Sequence, residues 1–318
     1  MYGEIKLYAG TACPELAVKI AQYLGLPLCG RDVILFPNDN LFVKLHSSVR
    51  GHDVYVIQTT SPPVHRNLME LLIMLQTMRL DSAGRVTAVV PYLCYARSDK
   101  KDMPRVPITA RLVADMIEIA GADRYMTLDL HAGQIQGFFS IPGDVLSAYH
   151  LLTDYIADLL PKMKEPVVVA ADLGFAKKGR NFAASLGAPI AFVEKRRASD
   201  SHAEALTLIG NVDSRDVIIV DDEVDTGGSI HQAVHLVKEQ GARNIYVVFV
   251  HPVFSANAVE CLTSLPVSQY ITTDTIPIPP EKKNPFGERL TVLSVAPLLG
   301  EVIRRAHEGR SVGEMFNE

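Results

Sequence analysis

Asp221 and Asp222 stand side by side after the apolar run Val217-Ile218-Ile219-Val220, and Asp225-Thr226-Gly227-Gly228-Ser229 follows almost at once. Four β-branched apolar residues predict a buried strand that the two acids end. From Ile230 the spacing of Ile230, Ala233, Val234, Leu236 and Val237 predicts a helix. A strand, a glycine-rich turn and a helix in that order gather backbone N–H groups and a helix N-terminus around an anion. Gly227 and Gly228 are expected to adopt positive φ and let the backbone close on it, while Thr226 and Ser229 add hydroxyl donors. Carboxylates accept hydrogen bonds, so Asp221 and Asp222 suit the hydroxyls of a polyol. Together the features point to a sugar phosphate, its phosphate in the loop and its hydroxyls on the acid pair. An ordinary turn after an acidic strand end would explain the Gly-Gly pair alone, but not the whole arrangement.

Three further segments have residues suited to the same chemistry. Tyr95-Ala96-Arg97-Ser98-Asp99-Lys100-Lys101-Asp102-Met103-Pro104-Arg105 lies between a predicted strand and a helix beginning near Pro107. Taken alone it reads as a solvated loop. At the carboxyl end of a strand in an α/β sheet, where ligands bind, its cations suit a polyphosphate. Asp129, His131 and Gln134 cluster in a strand end followed by a Gly-spaced turn; a lone histidine is more often structural. With Asp172, after the strand Val167–Ala170, they would hold a hard divalent cation, magnesium or manganese. Lys195-Arg196-Arg197 ends another short strand, and a polar stretch runs on to Ala203. Such a patch is either solvated or, in a phosphate enzyme, a charged lid that closes over the transferring group.

These segments need a scaffold of strands and helices, and the rest of the chain supplies its pattern. Asp53–Ile57, Val86–Val90, Tyr125–Leu128, Val167–Val169, Val217–Val220 and Tyr246–Val250 are strand-like runs separated by helical stretches. That alternation predicts βαβ units and parallel sheets. Gly121-Ala122-Asp123-Arg124-Tyr125, leading to Leu130-His131, is echoed by Gly241-Ala242-Arg243-Asn244-Ile245, leading to Val250-His251. Each copy follows an apolar-periodic helix that Gly-Ala would cap, and each leads to a strand expected to end at the histidine. An offset of this length suits two similar α/β domains. With 318 residues the chain is long enough for two. The expected division is 1–146, 147–296 and a final helical segment 297–318 that packs back on the first domain.

Composition narrows the class. Hydrophobic residues make up 48% and charged residues 21%, as in a soluble globular enzyme, and a net charge of -5 argues against a nucleic-acid partner. Cys13, Cys29, Cys94 and Cys261 lack the spacing of a metal site or a disulfide framework and read as thiols of a reducing compartment. No signal pattern and no membrane-length apolar run stands out, so the expected setting is cytoplasmic, without a membrane partner.

In this order the segments resemble the ribose-phosphate diphosphokinase (phosphoribosyl diphosphate synthetase) family over nearly the whole chain. Ser48-Val49-Arg50-Gly51, Pro107-Ile108-Thr109-Ala110, Asp129–Phe139, Lys195-Arg196-Arg197, Asp221–Ser229 and Ser294-Val295-Ala296-Pro297-Leu298-Leu299 carry the likeness, which is strongest to the phosphate-activated, hexameric class. The resemblance implies an α/β fold of two phosphoribosyltransferase-like domains, each with a mainly parallel sheet flanked by helices, and ATP bound between them and across a subunit contact. It implies transfer of the diphosphoryl group of ATP to ribose 5-phosphate, with Mg2+ as cofactor, a homohexamer, and inorganic phosphate and a nucleoside diphosphate as allosteric effectors. Carried onto this sequence, Lys195 and Arg197 are catalytic cations, and His131 and Asp172 are magnesium-associated. Asp221, Asp222 and Asp225 through Ser229 hold ribose 5-phosphate. Phe36, Asn38, Asn40, Arg97, Ser98, Asp99 and His131 fall at nucleotide positions, Phe36 against the adenine.

Three departures stand out. Asn38-Asp39-Asn40 replaces the Asp and Glu that the family carries around a glycine. Asp172-Leu173-Gly174-Phe175 replaces Asp-x-Gly-Gly and is followed by Lys177-Lys178, where an arginine is usual near the second lysine; Phe175 is bulky where the backbone should approach a ligand. Ser98 stands where Gln is common. Two competing readings remain at this point. A phosphoribosyltransferase would share the Asp221–Ser229 loop but not Asp129–Phe139 or the duplication. A catalytically weak regulatory paralogue would tolerate the departures but has no need of Lys195, Arg197, His131 and the paired acids.

Overall fold

The computed structural model describes residues 2–197 and 204–315, without the side chains of residues 195–205 and 314. The chain divides into two compact units, one of Met1–Ser147, Thr275–Pro277 and Ser294–Glu318, the other of Ala148–Asp274 and Ile278–Leu293. Among the described residues no helix is long and apolar enough to cross a membrane.

The first unit contains β1 (Ile5–Ala9), α1 (Pro14–Leu24), β2 (Arg31–Leu35), β3 (Leu41–Leu45), β4 (Asp53–Ile57), α2 (Val64–Leu80), β5 (Arg85–Val90), α3 (Thr109–Ile119), β6 (Arg124–Leu128) and β7 (Gly143–Leu146). Its sheet has the order β1-β4-β5-β6-β7, parallel throughout. A strand covered on both faces reads as a continuous apolar run, which is why Val54–Ile57 and Val86–Val90 were legible. Tyr8, Val54, Val56, Val86 and Ala88 share one core with Leu71, Leu75 and Met78 of α2 and Val113 and Ile117 of α3. The β2–β3 hairpin is separate and antiparallel, a feature the sequence reading did not anticipate.

The second unit contains α4 (Tyr149–Leu159), β8 (Val167–Ala170), α5 (Ala176–Ser185), β9 (Ile190–Arg197), β10 (Glu204–Ile209), β11 (Val217–Val224), α6 (Gly228–Glu239), β12 (Ile245–Pro252), α7 (Ala258–Thr263), β13 (Gln269–Thr273), α8 (Pro280–Lys283) and β14 (Leu290–Leu293). The sheet order is β10-β9-β8-β11-β12-β13-β14, parallel apart from the β9–β10 pair. The expected α/β fold with mainly parallel sheets is therefore present.

The internal repeat is structural. Each half runs strand, helix, strand in parallel order, β4-β5-β6-β7 in one and β8-β11-β12-β13 in the other. After α3, Gly121 N–H donates to Glu118 C=O and Ala122 N–H to Ile117 C=O; after α6, Gly241 donates to Lys238 and Ala242 to Val237. Both glycines have positive φ, 113° and 87°, so the same turn closes both helices. The histidines differ from expectation. β6 ends at Leu128 and His131 lies exposed beyond it, whereas β12 runs through a buried His251 to Pro252.

The last helix, α9 (Ala296–Glu308), belongs to the first unit and packs against α1. A buried polar network ties its final turn to the sheet. Asp53 is fully buried at the start of β4. It accepts from Arg85 Nε and Nη2 at 2.8 and 2.6 Å and from the Tyr55 hydroxyl at 3.0 Å. His307 Nδ1 lies 2.8 Å from the same carboxylate, and Arg85 also donates to the Ala306 carbonyl at 3.1 Å.

Candidate functional site

β11 lies between β8 and β12, and it is longer than the sequence pattern indicates. Pairing with β8 stops at Val220–Ala170, but pairing with β12 continues to Val224–Pro252. The acids therefore do not end the strand; Asp221, Asp222 and Glu223 are buried residues within it. Asp222 N–H donates to Asp221 Oδ1 and Glu223 N–H to Asp222 Oδ1, both at 2.9 Å. Burial, then the neighbouring Asp222, then Asp172, push the Asp221 carboxyl well above the usual carboxylate range.

The loop that follows opens to solvent. Asp225 and Ser229 are half-buried, and Thr226 and Gly228 are exposed. Gly227 caps α6 in the left-handed region, φ 82°, and Gly228 is the first helical residue. Positive φ is thus confined to Gly227, because Gly228 already follows the helical path. A Cβ at Gly228 would meet nothing closer than Thr226 Oγ1 at 3.8 Å, so the space beside it is open. The leading N–H groups of a helix have no carbonyl within it to meet, and here they border that space.

Asp172 follows β8. Its Oδ1 accepts from Phe175 N–H at 2.8 Å, closing the turn into α5. The Phe175 side chain does not crowd the turn as expected. It is buried, with its ring centroid 5.7 Å from Tyr149. Lys178 Nζ lies 5.8 Å from that ring, and Lys177 is exposed. Lys195 and Arg197 lie on β9, in register with Leu206 and Glu204 of β10. Their side chains, and residues 198–203 of the expected lid, lie outside what is described.

In the first unit, Arg97, Ser98 and Asp99 follow β5, the position that corresponds in sheet order to the loop after β11. Arg97 is exposed. Ser98 ties the loop to α3: its Oγ accepts from Thr109 N–H at 3.3 Å, and its carbonyl accepts from Ala110 N–H at 3.1 Å. Asp99 is buried and accepts from the Gln134 side chain. Asp129, with φ 40°, accepts from the Ser147 hydroxyl at 2.9 Å. Asp129 and Gln134 thus each engage a partner outside the trio, and His131 is exposed. Among the described residues no group of three His, Cys, Asp or Glu side chains is placed to hold a metal ion. Asp172, close enough to help raise Asp221, is an oxygen donor suited to a magnesium ion that takes its other ligands from phosphate and water.

Phe36, Asn38 and Asn40 lie at the tip of the β2–β3 hairpin and are exposed. The Phe36 and Phe42 rings are 6.1 Å apart. Phe36 N–H donates to Asn40 C=O at 2.8 Å, and Asn40 N–H donates to Asn38 Oδ1 at 3.3 Å, so the Asn38 side chain helps to close its own turn.

Residues 5–121 match the family model of the N-terminal domain of ribose phosphate pyrophosphokinase, and residues 197–317 match the phosphoribosyl synthetase-associated domain. The ribose-phosphate pyrophosphokinase of Caldanaerobacter subterraneus subsp. tengcongensis is 45% identical over 312 residues, 98% of each chain. The chain belongs to the ribose-phosphate pyrophosphokinase family. The Aquifex aeolicus ribose-phosphate pyrophosphokinase is 43% identical over 98% of this chain and 99% of its own. The crystal structure of phosphoribosylpyrophosphate synthetase from Mycobacterium smegmatis superposes with a TM-score of 0.91 at 40% identity, covering 96% of this chain and all of that one (100%).

Two residues beside the acid pair carried no assignment from the sequence: Tyr149, whose hydroxyl meets the Asp221 carbonyl, and Glu223. Tyr149 carried no signal, because an aromatic at a helix start reads as core. Glu223 is a third buried acid beside the recognised pair, and its position directly after them was the available clue.

Proposed function

We propose that this protein is a ribose-phosphate diphosphokinase, which transfers the diphosphoryl group of ATP to the anomeric hydroxyl of ribose 5-phosphate and yields 5-phosphoribosyl 1-diphosphate and AMP. The observation that carries the reading is the Asp221–Ser229 segment: buried acids at the carboxyl half of a central strand, followed by an open glycine turn into a helix. The N–H groups of Gly228 and Ser229 and the hydroxyls of Thr226 and Ser229 hold the 5-phosphate. Asp221 and Asp222 accept from the ribose hydroxyls and fix the sugar, so that its anomeric oxygen meets the β-phosphorus of ATP in line. Lys195 and Arg197 place positive charge at the end of β9, opposite the charge that builds on the transferred group.

Asp172 and His131 are proposed to hold Mg2+ together with the phosphates; when bound, it neutralises charge on the triphosphate. Arg97 and Asp99 serve the nucleotide phosphates, Ser98 fixes their loop, and Phe36 with Asn38 and Asn40 meets the base. A homohexamer in the cytoplasm, responsive to inorganic phosphate and a nucleoside diphosphate, completes the reading.

The test is incubation with ATP, ribose 5-phosphate and Mg2+ and no nucleobase, with products resolved by chromatography and phosphorus NMR. AMP and the 1-diphosphate are expected in equal amounts. Lys195→Ala is expected to lower kcat by about a hundredfold, the scale of losing one preorganised charge-stabilising donor. Absence of AMP, or product formation only with an added base, refutes the assignment.

A further inference from the structure

We propose that Tyr149 and Phe175 form a positioning pair that ties the Asp172 turn to the carboxyl half of β11, and so sets the spacing of the acids that receive ribose 5-phosphate. The inference rests on the function proposed above and adds residues to its site.

Beyond Val220, β11 has lost β8 as its neighbour on one side, since that pairing ends at Ala170. The ladder shared by two segments ends at this level: β11, which carries Asp221 and Asp222, and the chain that turns at Asp172. Nothing in a sheet ladder holds them in register once the pairing ends.

Tyr149, the first residue of α4, links them. Its hydroxyl donates to the main-chain carbonyl of Asp221 at 3.0 Å. Its ring lies 5.7 Å from Phe175 at 51°, and 6.1 Å from Phe182 of α5 at 81°. The first pair is tilted and the second edge-to-face, a geometry aromatic pairs favour. Phe175 is only 4% exposed, and its N–H holds the Asp172 carboxylate at 2.8 Å. A continuous path therefore runs from Asp221 C=O through the Tyr149 hydroxyl and ring to the Phe175 ring and backbone, and on to Asp172 Oδ1. Through these contacts Tyr149 and Phe175 act on Asp221 and Asp172. A rigid aromatic contact suits the task, because a buried ring has few rotamers and transmits position closely.

The test uses the full-length enzyme and three substitutions. Tyr149→Phe keeps the ring and removes the hydroxyl. Phe175→Leu keeps apolar bulk and removes the second ring. Tyr155→Phe is the matched control: it removes a hydroxyl from the same helix, one that meets Thr291 and Gln269 instead. Tyr149→Phe and Phe175→Leu are each expected to raise KM for ribose 5-phosphate by about three- to tenfold, the scale of one lost hydrogen bond or packing contact. In Tyr149→Phe, which acts on Asp221, KM for ATP should stay within about twofold, and the double variant should fall short of the product of the single effects on KM for ribose 5-phosphate, as members of one path do. Tyr155→Phe should leave both KM values unchanged. A rise below threefold in Tyr149→Phe, an equal rise in KM for ATP, an equal effect from Tyr155→Phe, or multiplicative single effects each overturn the inference. Failure of the wild-type protein to form AMP would instead overturn the proposed function.

Discussion

Gly227 and Gly228 are adjacent, but the structure predicts opposite consequences for replacing them with alanine. Gly227 sits at φ 82°, where an L side chain is strained by about 1–2 kcal/mol. Its Cβ would find Leu262 Cγ at 3.4 Å, an ordinary contact, so the backbone term dominates. Gly227→Ala should lower stability by about that amount, or a few degrees in Tm for a unit of this size. Gly228 is helical, and its Cβ would meet only Thr226 Oγ1 at 3.8 Å. Gly228→Ala should be neutral or stabilising by up to about 1 kcal/mol, through the unfolded chain. The same methyl stands in the space proposed for the 5-phosphate, and Gly228→Val fills it further. Calorimetry with ribose 5-phosphate should show affinity falling at least tenfold in Gly228→Val, with Tm within about 2 °C of wild type. Intact affinity in Gly228→Val would refute the cradle. An equal loss of Tm at both glycines would refute the assignment of strain to Gly227 alone.

Three other outcomes are expected. In metal-free buffer Asp221→Asn should be more stable than wild type at neutral pH. The folded-state pKa of Asp221 is raised, so the wild type loses stability as pH rises from about 4, the ordinary value; the gap between variant and wild type should widen with pH in thermal melts, and a constant gap refutes it. Asp53→Ala should cost about 3–5 kcal/mol in denaturant titrations, because it removes the fully buried carboxylate that partners the half-buried Arg85; a loss under about 1 kcal/mol would mean that the α9 network contributes little. A carboxylate accepts but does not donate, whereas an amide does both, so the native Asn38/Asn40 hairpin should use GTP better relative to ATP than Asn38→Asp/Asn40→Glu does. Identical kcat/KM ratios for ATP, GTP and CTP in the two proteins would remove both asparagines from base selection, as the use of Asn38 Oδ1 within its own turn would favour.

The central strands were legible because both faces are covered, so each appears as an unbroken β-branched run. The continuation of β11 through Asp221, Asp222 and Glu223 was not, since carboxylates are poor strand formers and the extension is held by partners on β12. The partners of Asp129 and Gln134, Ser147 and Asp99, lie 18 and 35 residues away in the chain, so local spacing did not announce them. Phe175 looked like an obstruction because its partner, Tyr149, is distant in the chain.

By itself the sequence determined the α/β class, the repeat marked by Gly121 and Gly241, and the glycine turn of Asp225 through Ser229 into a helix, because these depend on local periodicity, turn geometry and residue type. Tertiary structure decided which acids are buried, which way Phe175 points, and how Asp53, Arg85 and His307 meet. Those outcomes depend on pairing and packing between segments far apart in the chain, and local spacing carries no record of them.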